Sequence, residues 1–276
     1  MQIPLFPLPS NPAKEITFNM PTVADAMNLT SSDARYEERV TTRYLNELQA
    51  KDKFSDSAEW TAQDRRTALW WIFTNSRIDT MLTSSYACEH CGNTHFVDVD
   101  MRKLELIGIV LLEHASEEHG CDVNGIHYPF KLTNLNGHAM MHLEEARTML
   151  PPEDAPNFRE EWINLRVMEV AHQLRLPDDP PDYLEATQRR YELLKAMALE
   201  TEFQPLVASL QLYNRKNQHG LAIVINKGVT SLVLPPTRCK NWDKEGEAPL
   251  TPLLMPFRVN NFLPAFRSEW LGFTDE

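Results

Sequence analysis

The sequence is poor in glycine, and the motifs that glycine usually builds are missing. Nine glycines stand against nineteen prolines in 276 residues, so loops that let a cofactor approach the backbone closely are scarce. There is no Gly-x-x-x-x-Gly-Lys phosphate loop, no Gly-x-Gly-x-x-Gly turn and no Gly-x-Ser-x-Gly elbow. The common nucleotide-binding and serine-hydrolase signatures are therefore absent.

Long apolar runs and a cationic leader are also missing. No stretch approaches the about 18 apolar residues of a membrane span. The first residues, MQIPLFPLPSNP, have no cationic n-region and are interrupted by prolines, so we expect no signal peptide. Four cysteines in a chain of this length, two of them as Cys-x-x-Cys, indicate reduced thiols and a metal rather than a disulfide framework. We therefore expect a protein that is cytosolic or is assembled in a cytosol.

Positive charge is in deficit. The chain has 27 Lys and Arg against 39 Asp and Glu, a net charge of −12, and the acidic residues are spread along its length. Nucleic acid and anionic membranes are therefore not expected as main partners. An acidic patch for a basic protein partner remains open.

What is present predicts an α+β fold with a helix-dominated body, a small β and zinc-knuckle element, and extended proline-rich terminal arms. The expected segments are an N-terminal arm over residues 1–14, a strand–helix region with the knuckle over 15–133, a mainly helical region ending in a hairpin over 134–234, and a C-terminal arm over 235–276. The 42% hydrophobic composition is typical of a globular chain.

Local patterns support the helices. The segment TSSD predicts a helix start with Ser31 or Ser32 as N-cap. TAQD is a capping-box pattern of Thr61 and Asp64 before a helix.

Alternation and turn residues predict the strands. THFVDVDM alternates with period two and predicts a strand with Phe96, Val97 or Val99 on a buried face. NGIHYPFKL predicts another strand after an Asn-Gly turn, and GLAIVINKGVTSLVLPP a hairpin turning near residues 226–228.

The proline-rich ends are expected to be extended, since proline fixes φ and removes a backbone donor. Five prolines lie in the first 21 residues and six between 235 and 264. One interpretation is ordinary terminal arms without a role. The large apolar groups of LTPLLMPFRVNNFLPAF favour arms that lie on a neighbouring subunit instead.

The strongest local signal is Cys88-x-x-Cys91-Gly92. Two thiolates on a tight turn can hold a tetrahedral cation, and the glycine relieves the strain of the knuckle. A structural zinc site needs two more ligands, for which we predict His119 and Cys121 of EEHGCDV. Three other histidines compete for these positions: His90, His95 and His127.

Two alternatives to a structural metal stay open at this motif. One is a metal-free turn with buried thiols. The other is a redox centre, but a thioredoxin-like Cys-x-x-Cys follows a strand and opens a helix, whereas here a predicted helix precedes the motif and a strand follows it.

A catalytic metal has weaker support elsewhere. His114 and His119 are five residues apart, about 140° around a helix, and would not face one ion together. His138 and His142 are four apart and can chelate, but HAMMH lacks the glutamate of His-Glu-x-x-His. We expect His172, on an apolar stripe, to be a hydrogen-bonded core histidine.

Taken in order, these segments resemble a known family. EITFNMPTVADAM and ARYEERVTTRYLNEL, then the Cys-x-x-Cys-Gly turn, FVDVDM and IHYPFKLTNL, are similar to the baseplate hub assembly proteins of contractile-tailed, T-even-type bacteriophages. The similarity covers roughly residues 14–145.

The resemblance implies a non-enzymatic protein that builds or forms the central hub of a phage baseplate. It would act through interfaces with other tail and baseplate proteins as part of a multi-subunit assembly. It would be found in the host cytoplasm during assembly or in the virion baseplate. No catalytic residue carries over. A zinc-dependent hydrolase using the 114–142 histidines, and a host-directed zinc-knuckle regulator, are the alternatives.

Overall fold

A computed structural model describes residues 3–30, 33, 35–107, 118–123, 125–226, 229–242 and 246–266. Within these ranges the helices are α1 Val23–Thr30, α2 Glu37–Leu48, α3 Ala62–Ser76, α4 Gly137–Thr148, α5 Phe158–His172, α6 Tyr183–Ala196 and α7 Gln204–Lys216. The strands are β1 Phe6–Leu8, β2 Asn11–Ile16, β3 Met81–Ala87, β4 Thr94–Asp100, β5 Glu118–Val123, β6 Ile126–Leu132, β7 Leu174–Arg175, β8 Ile223–Asn226, β9 Val229–Arg238 and β10 Leu250–Pro256.

The architecture is mixed α+β, as expected. The strands form small antiparallel sheets, namely the hairpins β1-β2 and β3-β4 and the three-stranded sheets β5-β6-β7 and β10-β9-β8. None of the helices in the described ranges combines the length and the apolar character that a membrane crossing requires.

Helix α3 begins where the sequence predicts. The Thr61 side chain accepts a hydrogen bond from the Asp64 N–H, and the Asp64 carboxylate accepts one from the Thr61 N–H, both at 3.1 Å. This reciprocal capping box satisfies two backbone donors at the helix start. The N-cap positions predicted for the preceding helix, at Ser31 and Ser32, lie outside the described residues, and α2 starts after Tyr36.

The first core is built from both ends of the chain. It takes residues from 3 to 104 and again from 221 to 263. Phe6 and Phe18 are fully buried, and Phe262 stacks on Phe257 at 4.9 Å and meets the edge of Phe73 at 5.4 Å.

These contacts correct the prediction that the terminal segments are extended arms lying on a neighbouring subunit. The described parts of both ends are extended, as proline content indicated, but they form strands of the chain's own sheets. Most of their apolar side chains lie inside the first core, although Leu5, Leu250 and Leu254 are exposed. Burial of this much apolar surface within one chain explains the composition of the ends without a second subunit.

The second core is continuous in sequence. Residues from 123 to 213 of the β5-β6-β7 sheet, α5, α6 and α7 form it. The boundaries expected at residues 133 and 234 therefore fall inside cores: 134–213 shares its core with β5 and β6, while 221–234 belongs to the first core.

Helix α4 joins the two cores. A β-bridge pairs Thr61 with Asn136, and the Ala62 N–H donates to the Leu135 carbonyl at 2.8 Å. Gly137 allows this close approach, because a Cβ there would lie 2.7 Å from the Ala58 Cα. The first turn of α4 is thus held against the start of α3.

Candidate metal centre

The Cys-x-x-Cys segment is the turn of the β3-β4 hairpin. The seven-pair antiparallel ladder ends at Ala87 and Thr94, and the turn is closed by the Cys88 N–H donating to the Asn93 carbonyl at 2.9 Å. The Gly92 N–H donates to the Cys88 carbonyl at 2.8 Å. Gly92 has φ of +72° with no atom near a Cβ position, so glycine is required there for backbone conformation rather than for space.

Strand β4 supplies a third group. Its alternation points Val97 and Val99 inward and leaves Phe96 exposed, which settles the predicted buried face. The same alternation turns His95 inward, and this residue is only 6% exposed. The His95 Nε2 lies 3.1 Å from the Cys91 Sγ.

The fourth group comes from the far end of the chain. Cys239 follows directly after β9, is buried, and places its Sγ 3.9 Å from the His95 Nε2. The next residue, Lys240, donates from its Nζ to the Phe96 carbonyl at 2.6 Å. The end of β9 is therefore held against the β3-β4 hairpin.

Cys88, Cys91, His95 and Cys239 form a group that can hold a metal ion, with all four donor atoms within 4.8 Å of one another. Within the described part of the chain, no other three or more such residues meet this condition. Three of the four are buried. Around a bound ion, four protein donors would complete a tetrahedral shell and leave no position for a substrate or water, which is the arrangement of structural rather than catalytic sites.

The thiols do not titrate alike. Burial raises the pKa of Cys239 to about 11. Burial also acts to raise the pKa of Cys88, but hydrogen bonds from the backbone at His90 and Cys91 outweigh it and the pKa is lowered. The Cys88 thiol therefore loses its proton more readily than the Cys239 thiol, and a bound cation would displace the thiol protons.

The structure separates the predicted ligand pairs. Cys88 and Cys91 lie together, as predicted, whereas His119 and Cys121 lie on β5, opposite Phe130 and Tyr128. The His119 ring stacks on Phe130 at 6.0 Å, and Cys121 packs against the second core. The prediction that these two complete the site is corrected: His95, one of the competing histidines, and Cys239 take their places.

Sequence reasoning missed Cys239 because it lies 144 residues from His95. No local spacing marks it. The one available signal was the cysteine count: the chain has four cysteines and the knuckle uses two, so two further thiols were candidate ligands. The other competitors make different contacts: His127 pairs with Asp122 at 2.7 Å, and the His90 ring meets the Trp242 edge at 6.4 Å.

The histidines proposed for a hydrolase do not converge on one point. The His138 Nε2 lies 2.8 Å from Glu59 Oε1, whereas the His142 Nδ1 lies 2.9 Å from the His172 Nε2. His114 lies outside the described residues. His172 is fully buried with both ring nitrogens in hydrogen-bond contact, which confirms the prediction of a core histidine.

No protein-family model, curated protein or solved structure matches the chain.

Proposed function

We propose that this chain is a non-enzymatic structural or assembly protein of a phage tail baseplate hub, and that a zinc ion bound by its Cys/His cluster stabilises it. The observation that carries the proposal is the closed set of four protein donors, which joins the β3-β4 hairpin to the end of β9. Such a site holds segments in place and offers no open position for chemistry.

Zinc is the metal that suits this donor set. Three thiolates and one imidazole form a soft, tetrahedral environment that zinc favours over magnesium or calcium. At metal–ligand distances of about 2.0–2.3 Å, the edges of such a tetrahedron measure about 3.5–3.8 Å. The donors of this cluster, within 4.8 Å of one another, need move only slightly to meet these edges.

The assembly role is supported by the resemblance over residues 14–145 and by the surface. Large apolar side chains remain exposed on several elements, including Ile78 at 99%, Met149 at 72% and Leu199 at 70%. Exposed apolar groups on a chain with net charge −12 suit interfaces with other proteins better than nucleic acid or anionic membranes. Docking is assigned to these groups, because most apolar side chains of the described terminal segments lie in the first core.

The test is genetic and compositional. A phage that encodes this chain, with its gene deleted, is expected to produce no complete baseplates. Wild-type chain and the Cys121→Ser variant supplied in trans should restore them, whereas Cys239→Ser should not. Mass spectrometry of purified virions then separates a resident hub protein from an assembly factor that leaves.

Normal baseplates in the deletion strain would contradict the assembly role. Rescue by Cys239→Ser at the wild-type level would contradict the part of the proposal that assigns stability to the metal.

A further inference from the structure

An open cleft of about 750 Å³ lies where the two cores meet. Helices α3, α4, α5 and α7 contribute to its walls, together with β8, the start of β9 and the segment after β10.

The cleft is rich in arginine although the chain is acidic. Five arginines from five different elements line it, against three glutamates: Arg66, Arg147, Arg166, Arg215, Arg258, and Glu37, Glu38, Glu169. The local charge is therefore opposite in sign to the net charge of −12.

Two of the three glutamates already have arginine partners. Glu38 pairs with the buried Arg65, Nη2 to Oε2, at 3.0 Å. Glu169 pairs with Arg166 on its own helix. Among the described residues, no ion pair involves Arg66, Arg147 or Arg215.

Helix dipoles account for only part of this convergence. Arg147 and Arg215 stand in the last turns of α4 and α7, where a cation is favoured. Arg66 lies in the interior of α3, where the helix dipole does not favour a cation. Burial lowers the pKa of Arg66, Glu38 opposes the effect, and the nearby Arg65 and Arg147 lower the pKa further. An anion in the cleft would relieve this repulsion.

The cleft also contains a sheet edge to which no strand of the described residues adds. Strand β8 is the outer strand of the β10-β9-β8 sheet. The Val233 N–H donates to the Ala222 carbonyl at 3.0 Å, so the alternate residues Ile223 and Ile225 direct their backbone groups away from β9. The Thr230 carbonyl, opposite Ile225, accepts instead from the Phe257 N–H at 2.8 Å.

Apolar side chains complete this edge. Val224, Ile225 and Val229 are all exposed, Ile225 at 66%. A short edge strand with unpaired backbone groups and exposed apolar side chains is a template for strand addition. The surrounding arginines select the charge of the strand that can be added.

We propose that this cleft binds an extended, acidic segment of a partner protein, which adds as a strand to β8 while its carboxylates meet Arg66, Arg147 and Arg215. The free edge sets the extended conformation, and the unpaired arginines set the charge. The inference holds whether or not the partner belongs to a baseplate.

The test uses the full chain and a fluorescein-labelled peptide of about twelve residues that alternates valine with glutamate. Fluorescence anisotropy is expected to show saturable binding that weakens with salt. The triple variant Arg66→Gln, Arg147→Gln, Arg215→Gln should weaken binding by about tenfold or more. A triple variant of matched charge outside the cleft, Arg35→Gln, Arg39→Gln, Arg159→Gln, should bind like wild type.

A second pair of variants tests the strand addition. Ile225→Pro removes the backbone N–H that faces the free edge and spares the ladder with β9, so it should weaken binding by about tenfold. Ile225→Thr keeps that donor and should bind nearly as wild type. Circular dichroism and unfolding of each variant establish that the fold is kept.

Five results would overturn the proposal. The first four are equal binding of a valine–lysine peptide, no loss of binding in the cleft triple variant, equal binding by Ile225→Pro, and tighter binding after removal of residues 267–276. The last would assign the cleft to the chain's own C-terminal segment. Self-association abolished by the cleft triple variant would assign it to a second copy and would also overturn the proposal.

Discussion

Each of the two cores of this protein is stabilised by a different means. The first is assembled from segments far apart in sequence, and the Cys/His cluster connects residues 88–95 with Cys239 across 144 positions. The second runs continuously from 123 to 213 and has no such cluster in its described residues. A cross-link contributes most where it closes a long loop, so the donors lie where a link is most useful.

The second core contains a buried ion pair and a chain of partly buried hydrogen bonds. The Arg190 guanidinium, 2% exposed, meets the Asp179 carboxylate at 2.7 Å. A chain of hydrogen bonds that runs through Tyr183 and His172 lies beside this ion pair. Because the Tyr183 hydroxyl donates to Asn136 Oδ1 at 3.1 Å, its oxygen accepts from the His172 Nδ1–H at 3.0 Å.

The donor and acceptor roles of the remaining hydrogen bonds follow from the proton on His172 Nδ1. The His172 Nε2 then carries a lone pair and accepts from the His142 Nδ1–H at 2.9 Å. Asn136 Oδ1 also caps α4 through the Ala139 N–H at 3.0 Å. The histidine is thus held neutral and tied to the helix that joins the cores.

The largest effect is expected from breaking the link in the first core. Cys239→Ser should reduce bound metal from one ion per chain to none, because the cluster loses one of its four donors. It should also lower the unfolding temperature more than any substitution in the second core, because metal-binding free energy contributes directly to folding. Metal analysis and calorimetry measure both. Cys121→Ser, a thiol outside the cluster, is the control and should keep its metal. Equal metal content in the two variants would contradict the assignment.

The next effect concerns the ion pair of the second core. Asp179→Ala leaves the Arg190 charge buried without its partner and should reduce the free energy of unfolding by about 3–5 kcal/mol, with bound metal unchanged. Chemical denaturation with metal analysis tests it. Asp178→Ala, which removes an exposed partner of Arg189, should change stability little. Loss of metal in Asp179→Ala would show that metal binding at the first core depends on the ion pair of the second core.

A pH titration sharpens the same contrast. Burial, and then the charge of His142, lowers the pKa of His172 to about 3, below its unfolded value of about 6.5. Between these values the unfolded chain binds one more proton, so stability is present above about pH 6.5 and is lost as pH falls, by about 1.4 kcal/mol per unit. In His172→Phe, this dependence of the free energy of unfolding on pH should be absent.

The test is to measure the free energy of unfolding of the wild-type protein and of His172→Phe from about pH 7 to about pH 4. Acid release of metal acts on both proteins in the same way, so it does not affect the difference between them. An unchanged slope in His172→Phe would mean that another group is responsible.

The smallest expected effects compare one helix cap from each core. Asp182→Ala removes a single bond, to the Glu185 N–H at 2.9 Å, and should cost about 1 kcal/mol. Thr61→Ala should cost about 2 kcal/mol, because the Thr61 Oγ1 caps α3 and also contacts the buried His219 Nε2 at 2.6 Å. Equal losses, measured by urea unfolding, would show that the second contact adds nothing.

Local features were predictable because their causes are local. The Thr61–Asp64 capping box needs only residues three apart, and the inward face of β4 follows from its alternation. The predicted hairpin is formed by β8 and β9, with Asn226 opposite Val229, and residues 227–228 between them lie outside the described residues. In the same way Cys88 and Cys91 indicate a knuckle without any knowledge of the fold.

Long-range features were not predictable from pattern. His119 and Cys121 have a plausible ligand spacing, but the register of β5 with β6 sets them beside Phe130 and Tyr128. Cys239 joins the cluster only because β9 ends against β4. The apolar ends look like arms in the sequence, and only the tertiary fold shows that they cover α3.

X-ray absorption spectroscopy of the purified full chain, with zinc quantified in the same sample, tests the metal link between distant segments without any intermediate step. We predict one zinc per chain with three sulfur ligands near about 2.3 Å and one nitrogen ligand near about 2.0 Å, retained in Cys121→Ser and lost in Cys239→Ser. A metal-free protein, or a zinc site that survives Cys239→Ser and is lost in Cys121→Ser, would contradict this assignment.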